Sequence, residues 1–388
     1  MARVTAEEVH DALAAVLRPP SDDETVAVLG AGVDDLEDGR AFLAALADGG
    51  WAVPAWPVEY GGRGAAAEEI ALISRELTRF HQPDLYPYLV GLHVLAPTLI
   101  AMATAEQCRR WLPRIRTGEG IWCQLFSEPG AGSDLANVST RAERDGDVWR
   151  LTGQKVWSSR AHYSAWGFCL ARSDFDVPKH AGITAFAVAM EQQGVEVRPL
   201  RQMNGDAHFN EVFLDAAVVP DTYRIAGVGE GWAVARTALA NERGAVGAVS
   251  TGMGTPATRL LELVRERGAE GARRDRVLRA HLGSEVARLT ARRARDRARA
   301  GVPGPEGSGS KLRGSAVFKE TADAALSLLG AECLLEPGEW QTLFLTAPSI
   351  SIRGGTDEIQ RNIVGERVLG LPPEPRVDTD RPYRDIPH

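Results

Sequence analysis

Three stretches of this 388-residue chain carry residue types and spacings suited to chemistry. Ser127-Glu128-Pro129-Gly130-Ala131-Gly132-Ser133-Asp134 is a glycine-rich turn framed by hydroxyls. Consecutive turn residues of this kind aim backbone N–H groups in one direction, forming a concave donor surface. Gly153-Gln154-Lys155-Val156-Trp157-Ser158-Ser159 sets an indole beside two hydroxyls. A donor-lined turn and a Trp flanked by hydroxyls suit a flat aromatic cofactor held by its face and its edge. Near the C-terminus, Gly354-Gly355-Thr356-Asp357-Glu358-Ile359-Gln360-Arg361 is a second small-residue turn, leading into a helix. Singly, such a turn is usually only a turn and such a Trp usually core; their joint occurrence, in order, carries the reading.

The elements that must position these groups follow from periodicity. Residues 5–120 read mostly as helices, with apolar residues at helical spacing over Ala6 to Leu17, Gly39 to Ala47, Glu68 to Phe80, Leu92 to Ala103 and Glu106 to Ile115. From Ile121 to about Val219 the apolar residues alternate or form short runs. Val148–Leu151, Gly167–Ala171, Ile183–Val188 and Glu211–Leu214 are the strand candidates, and Asp145-Gly146-Asp147 is a hairpin signal. The helical period returns over Gly231 to Gly247, Pro256 to Arg267, Arg274 to Ala300, Ser310 to Leu329 and Thr356 to Val368. Gly301 to Ser310 reads as a loop, and the proline-rich Pro372 to His388 as an extended tail.

Composition excludes several classes of function. Apolar residues make up 44% of the chain, enough for a large core, while no run approaches the roughly 18 apolar residues of a membrane span. Met1 to Pro20 lacks the apolar segment of a signal peptide. A net charge of −8 argues against general nucleic-acid binding. Arg288, Arg292, Arg293, Arg295, Arg297 and Arg299 cluster locally and read as a solvated helix face. The four cysteines, Cys108, Cys123, Cys169 and Cys333, are scattered. They fit free thiols in a reducing cytoplasm, with no metal site and no disulfide framework. Gly252-Met253-Gly254-Thr255-Pro256-Ala257 formally fits a dinucleotide fingerprint, but it follows a helical stretch rather than a strand and is rejected.

Taken together, the three motifs resemble the flavin-binding segments of the acyl-CoA dehydrogenase family. Trp56-Pro57-Val58-Glu59-Tyr60-Gly61-Gly62, Val219-Pro220 and Gly229-Glu230-Gly231-Trp232 add to the likeness, which runs from about Leu43 to Pro373. The resemblance implies an α+β fold of four parts. An N-terminal helical domain covers 1–120, a middle β domain 121–222, a C-terminal four-helix bundle 223–371 and an extended tail 372–388. It implies FAD, bound by Gln124, Phe126, Ser127, Gly132, Ser133, Trp157, Ser158, Ser159, Thr356 and Glu358. It implies α,β-dehydrogenation of an acyl-CoA thioester, with Ser133, Arg243 and Gly355 touching substrate. An electron-transferring flavoprotein is the implied acceptor.

One departure matters more than the likeness. Many members carry a catalytic Glu immediately before the Gly-Thr of the last motif, and here that position is Gly354. Its backbone N–H can still polarise the thioester carbonyl, but it has no carboxylate to remove the α proton. Isovaleryl-CoA dehydrogenase and some long-chain members instead place a Glu on a bundle helix directly before an Arg. Leu239-Ala240-Asn241-Glu242-Arg243-Gly244 offers that pair, so Glu242 is the candidate base, with its pKa expected to be raised by enclosure. Two groups that reach the neighbouring subunit's flavin in the family also depart. Arg265-Glu266-Arg267-Gly268 lacks the aromatic after its Arg, and Ser327-Leu328-Leu329-Gly330-Ala331 lacks the Gln. These losses resemble the bacterial branch in which two different subunits pair; a homo-oligomer stays open. Open as well are a non-catalytic partner subunit, a flavin oxidase or monooxygenase on the same fold, and a carrier-protein thioester in place of CoA.

Overall fold

The computed structural model describes residues 4–20, 34–252, 256–300, 304, 306–335, 338–375 and 378–386. Met253–Thr255 of the rejected glycine pattern, residues 301–303 and 305 of the expected loop and the side chains of Arg243, Arg295 and Arg299 lie outside the described residues, while Glu306 to Ser310, expected as the rest of that loop, is helical. Two compact units share the chain. The first holds the described residues up to Leu200, Ala207–Glu242, and those from Asp378 onward; the second holds Arg201–Asp206 and the described part of Arg243–Val377.

The first unit opens with helices α1 (Ala6–Ala14), α2 (Leu36–Ala47), α3 (Ala67–Leu77), α4 (Ala96–Met102) and α5 (Ala105–Arg116). Thr5 with Glu8 and Thr104 with Gln107 close reciprocal capping boxes at the starts of α1 and α5. The periodicity of Leu92 to Ala103 predicts one helix, whereas Val90–Leu95 is a π-helical turn that passes into α4. Pro97 gives the reason. It has no N–H to donate, and its ring would press on the carbonyl of the residue four back, so the wider turn relieves the clash.

A mixed sheet follows: β1 (Trp122–Leu125), β2 (Arg141–Asp145), β3 (Val148–Ser159), β4 (Trp166–Arg172), β5 (Ile183–Ala189), β6 (Val195–Leu200), β7 (Phe209–Pro220) and β8 (Arg224–Ile225). Its order is β6-β7-β3-β2-β4-β5-β8, with β1 lying parallel to β4. The Asp145–Asp147 signal is indeed a tight hairpin, in which Asp145 pairs Val148 and Gly146 takes φ +62°. Both faces of β4 are covered, which is why it reads as a continuous apolar run. Phe168 and Leu170 join the helices around Leu95, Leu99 and Leu112, while Cys169 and Ala171 pack with Trp149, Phe186 and Val212. Trp122 stacks on Trp166 at 5.5 Å, and Trp111 of α5 meets both edge-on, so the helices are keyed to the sheet by aromatic contact. Strands β1, β2, β6 and β8 are additions to the four that the sequence suggests.

Helix α6 (Gly231–Gly252) runs out of this unit after Glu242. In the second unit α7 (Pro256–Arg267), α8 (Gly271–Arg299), α10 (Glu339–Ile350) and α11 (Asp357–Arg367) all pack on α9 (Glu306–Leu329). Leu260, Leu263, Val277, Ala280, Ala324, Ala325 and Leu328 form its core. The alanines let α8 and α9 approach closely. Helix α10 is not anticipated by the sequence pattern; Pro348 interrupts its final turn.

The chain end differs from the extended tail that its composition predicts. Residues 371–375 carry no regular structure, but Asp378 to Ile386 folds back onto the sheet of the first unit. Pro382 bridges Pro178, Tyr383 is 3% exposed, and Tyr383–Asp385 forms a 3-10 turn.

Candidate active site

Two of the three motifs meet in the first unit, joined by a buried ion pair. Lys155, in the middle of β3, has no exposed surface. Its ammonium donates to the Glu128 carboxylate at 2.7 Å, to the Leu170 carbonyl at 2.7 Å and to the Phe126 carbonyl at 3.2 Å. Glu128 in turn accepts from the Ser139 N–H at 2.7 Å and the Thr140 N–H at 3.0 Å. Burial alone would raise the Glu128 pKa; the Lys155 charge and these hydrogen bonds outweigh it and hold the carboxyl down at about 2. The Val156 N–H also donates to the Ser127 carbonyl at 2.9 Å. Thus the Ser127–Asp134 turn and the Trp157 strand are fixed against each other from below. Lys155 and Glu128 stand within the motifs, but their role is invisible in a sequence, where a charge in a strand reads as solvent-facing.

Above this pair the turn is open. Ser127 is half-buried, and Gly130, Gly132 and Ser133 are exposed. A Cβ added at Gly130 or Gly132 would meet nothing within 4 Å, so both glycines leave the backbone accessible. Phe126 is buried and packs edge-on against Phe168 at 5.0 Å, so its side chain serves the core. Trp157 is unusual: its backbone sits at φ +60°, at a register break between Lys155 and Ser158, and 60% of the residue is exposed. A bulky residue in this conformation is strained, and an exposed indole forgoes burial. Both costs make sense where a second flat group covers the ring.

The next two residues divide. Ser159 is half-buried, whereas Ser158 is fully buried with its hydroxyl unpartnered. The Ser158 carbonyl accepts from Asn210 Nδ2 at 2.9 Å, and Asn210 Oδ1 lies 3.2 Å from His162 Nδ1. Just beyond, Arg160 at φ +59° donates to Asp34 at 2.7–3.0 Å and lies 4.0 Å over the Tyr86 ring. The far end of the Trp157 strand is therefore tied to the N-terminal helices. Asn210 and the Arg160–Asp34 pair are missed by sequence reasoning, since partners 52 and 126 residues apart leave no local signal.

Glu242 joins the same unit. Gln124 Nε2, on β1, donates to Glu242 Oε2 at 3.4 Å. One residue earlier on α6, Asn241 Nδ2 donates to Thr98 Oγ1 at 3.2 Å, and that buried hydroxyl donates to the Val94 carbonyl at 2.6 Å. This chain of bonds fixes the rotation of α6 against α4, leaving Glu242 half-buried beside the strand that feeds the glycine turn.

The third motif lies in the second unit. Gly354 and Gly355 are exposed, at φ +66° and +85°. The Thr356 hydroxyl caps α11, accepting from the Ile359 N–H at 3.2 Å, and Asp357 pairs Lys311 at 2.8 Å. Glu358 is exposed and pairs Arg361 at 3.2 Å. Buried Gln360 reaches the Gly354 carbonyl through Nε2 at 3.4 Å. Burial pushes the Cys123 thiol up to about 12 and Cys169 up to about 11. Among the described residues no cluster of three or more His, Cys, Asp or Glu could hold a metal ion, and no helix is long and apolar enough to cross a membrane.

Comparison with known proteins gives the family. Residues 7–119, 123–217 and 229–369 match, in order, the models of the acyl-CoA dehydrogenase N-terminal, middle and C-terminal domains. The acyl-CoA dehydrogenase IpdE1 of Mycobacterium tuberculosis is 41% identical over 350 residues, covering 87% of this chain and 89% of that protein. The acyl-CoA dehydrogenase FadE34 of the same organism is 44% identical over 84% of this chain, which spans only about half, 46%, of FadE34. Among solved structures, the Tcur3481-Tcur3483 steroid ACAD superposes with a TM-score of 0.79 at 25% identity, covering 95% of this chain and 97% of that one. The ChsE4-ChsE5 complex of Mycobacterium tuberculosis gives 0.73 at 25% identity, covering 96% and 100%.

Proposed function

The chain belongs to the acyl-CoA dehydrogenase family, a family of flavoprotein oxidoreductases, and on that premise we propose that it dehydrogenates an acyl-CoA thioester between Cα and Cβ, with FAD as cofactor and Glu242 as base. The observation that carries this reading is the Gln124–Glu242 hydrogen bond of 3.4 Å. It puts a carboxylate beside the strand from which the glycine turn departs, while Gly354 has no side chain to serve. Glu242 takes the α proton, and the electrons of that C–H bond become the new Cα–Cβ double bond. The Gly354 N–H polarises the thioester carbonyl and so acidifies the α position. FAD, when bound, would supply the hydride acceptor for the β hydrogen. Trp157 would cover one face of its ring, while Ser127, Gln124, Ser159 and the Gly132–Ser133 backbone would hold its edge. Ser133, Arg243 and Gly355 would contact the thioester arm and CoA, and Thr356 and Glu358 the far part of the cofactor. The exposed φ +60° indole of Trp157 and the open backbone at Gly130 and Gly132 fit such a group.

Steroid-type acyl-CoAs head the substrate classes we propose, because the Tcur3481-Tcur3483 neighbour is a steroid ACAD. Reduced flavin would pass its electrons to an electron-transferring flavoprotein in the cytoplasm. The test is anaerobic reduction of the bound flavin by a panel of linear, branched and steroid acyl-CoAs, wild type beside Glu242→Gln. Removing a general base costs about 10²–10⁴-fold in rate. Flavin that stays bound in the variant but bleaches at least a hundredfold more slowly supports the reading. Equal bleaching removes Glu242 from the mechanism.

We also assign this chain to an assembly with a non-identical chain of the same family. On α8, Val277, Ala280 and Gly283 are buried, yet Leu278 (45%), Leu282 (62%), Val286 (54%) and Leu289 (52%) line the opposite side exposed. A helix with two apolar faces is completed by a second partner. The absent Gln in Ser327–Ala331 and the absent aromatic after Arg267 favour a partner that differs from this chain. Light scattering on the chain alone and on the chain co-expressed with a homologue decides. A stable homo-oligomer that reduces flavin unaided overturns the assignment; stable association only with the homologue supports it.

A further inference from the structure

We propose that the C-terminal segment Asp378–Ile386 is a positioning strap for the cofactor-and-thioester loop, acting through Lys179 and Asn137. The proposal rests on the dehydrogenase reading for what the loop binds, though the strap itself is a matter of contacts within one unit.

Lys179 is 6% exposed and its ammonium is shared. It donates to both Asp134 oxygens, at 3.1 and 2.9 Å, and to Asp378 Oδ2 at 2.5 Å. Asp134 ends the glycine turn, immediately after Ser133. Asp378 lies 199 residues beyond Lys179. A single buried cation therefore ties the loop to the strap. Its desolvation, which alone would lower its pKa, is outweighed by the two carboxylates, and the Lys179 pKa is raised.

A second tie lies a few residues further along each segment. The Tyr383 hydroxyl donates to the Asn137 carbonyl at 3.1 Å. Its ring lies 3.5 Å beneath the Arg172 guanidinium. Arg172, itself fully buried, donates to the carbonyls of Ala136 at 2.7 Å, Val138 at 2.9 Å and Lys179 at 3.0 Å. So three consecutive carbonyls of the loop, at residues 136, 137 and 138, are each held by a group that belongs to the strap or stacks on it. The strap is anchored independently: the N–H groups of Tyr383 and Arg384 donate to the carbonyls of Val177 at 2.9 Å and Phe175 at 3.1 Å, and Arg384 pairs Asp176.

The ties converge on the loop that follows the glycine turn, and a loop that must present N–H groups to a ligand gains from being held in the binding conformation beforehand. Asp378 and Tyr383 are positioning residues; neither touches the reacting atoms.

The test uses the full-length protein with Asp378→Asn, Tyr383→Phe, the double variant, and Asp378→Glu as the conservative control. Three readouts are taken: amide exchange of residues 132–138, FAD affinity of the apoprotein by fluorescence titration, and the acyl-CoA dependence of flavin reduction. The double variant is expected to lose protection at 132–138 and to bind FAD about tenfold more weakly, since each hydrogen bond lost is charged or buried. KM for acyl-CoA should rise more than kcat falls, and Asp378→Glu should restore most of the loss. Unchanged protection at 132–138 in a folded double variant overturns the strap whatever the enzyme's activity. Lost protection without any FAD binding in wild type would keep the strap and defeat the cofactor reading instead. If the double variant does not fold, the two single variants decide on the same exchange criterion.

Discussion

The two units carry their candidate segments on opposite plans. On the sheet, the segments at 124–134 and 155–160 are gripped from beneath by buried charge: Lys155 with Glu128, Arg160 with Asp34 and Lys179 with Asp134. In the helical unit, the segment at 354–358 is exposed and shaped by two glycines in the left-handed region and a helix cap. The first plan spends desolvation on rigidity; the second relies on backbone conformations that glycine reaches freely. The sheet half should therefore fail through loss of its buried partners, and the helical half through added side chains.

The largest effect is expected at Lys155. Lys155→Met leaves the Glu128 carboxylate buried with no cation, and breaking a buried pair in this way costs about 3–5 kcal/mol. Urea unfolding should register that loss, and Lys155→Met with Glu128→Leu should recover much of it, because an apolar pair leaves no stranded charge. A cost below about 1 kcal/mol for the single variant would mean that the pair does not hold the two motifs together.

The same pair sets an acid response. The folded Glu128 carboxyl is held at about 2, below its ordinary 4.5, so folding favours its ionised form. Its contribution is present in full above the ordinary value and is lost as pH falls from there toward about 2. Stability measured from pH 6 down to pH 2 should drop with a slope that the Lys155→Met/Glu128→Leu protein lacks. Parallel curves for the two proteins would assign the acid response to other carboxylates.

How much of this was legible beforehand depends on the range of the interaction. Helix α7 was read to the residue, Pro256 to Arg267, because its capping proline and apolar spacing are local. The hairpin at Gly146 and the Ser127–Asp134 and Gly153–Ser159 motifs are equally local, and they stand together as the sequence suggested. Strand β6, Val195–Leu200, was missed: it is a short edge strand with Pro199 in it and mostly polar neighbours. The tail's return was missed because Pro, Asp and Arg read as a solvated end, and the groups that receive it, Lys179, Arg172 and Asn137, lie about 200 residues or more away. Glu242 enters as a candidate only through the absence of a carboxylate at Gly354. Its partner Gln124 is 118 residues off.

A middle-sized effect is expected at Trp157, where the two plans meet in one residue: a sheet position with a left-handed backbone. Trp157→Gly removes the φ +60° strain but adds glycine's chain entropy, and the exposed indole contributes little burial. Apoprotein stability should stay within about 1 kcal/mol of wild type, while FAD affinity falls about tenfold with the lost stacking surface. A large stability loss with unchanged FAD affinity would make Trp157 a structural residue.

The smallest effect is expected at Gly354, and it separates strain from space. An added Cβ there would meet nothing within 4 Å, so crowding predicts that Gly354→Ala is harmless. The backbone, at φ +66°, predicts otherwise: a left-handed alanine costs about 1–2 kcal/mol. The thermal midpoint of Gly354→Ala should fall by a few degrees, and Gly314→Ala, in the interior of α9 with equally open surroundings, should instead rise or stay level, since alanine favours a helix. If both variants behave alike, the turn at 354 is not held by its dihedral angle, and the contrast between a side-chain-locked sheet half and a glycine-shaped helical half fails at its second term. If they diverge, glycine at this position is a conformational requirement of the turn, set by its dihedral angle rather than by the space around it.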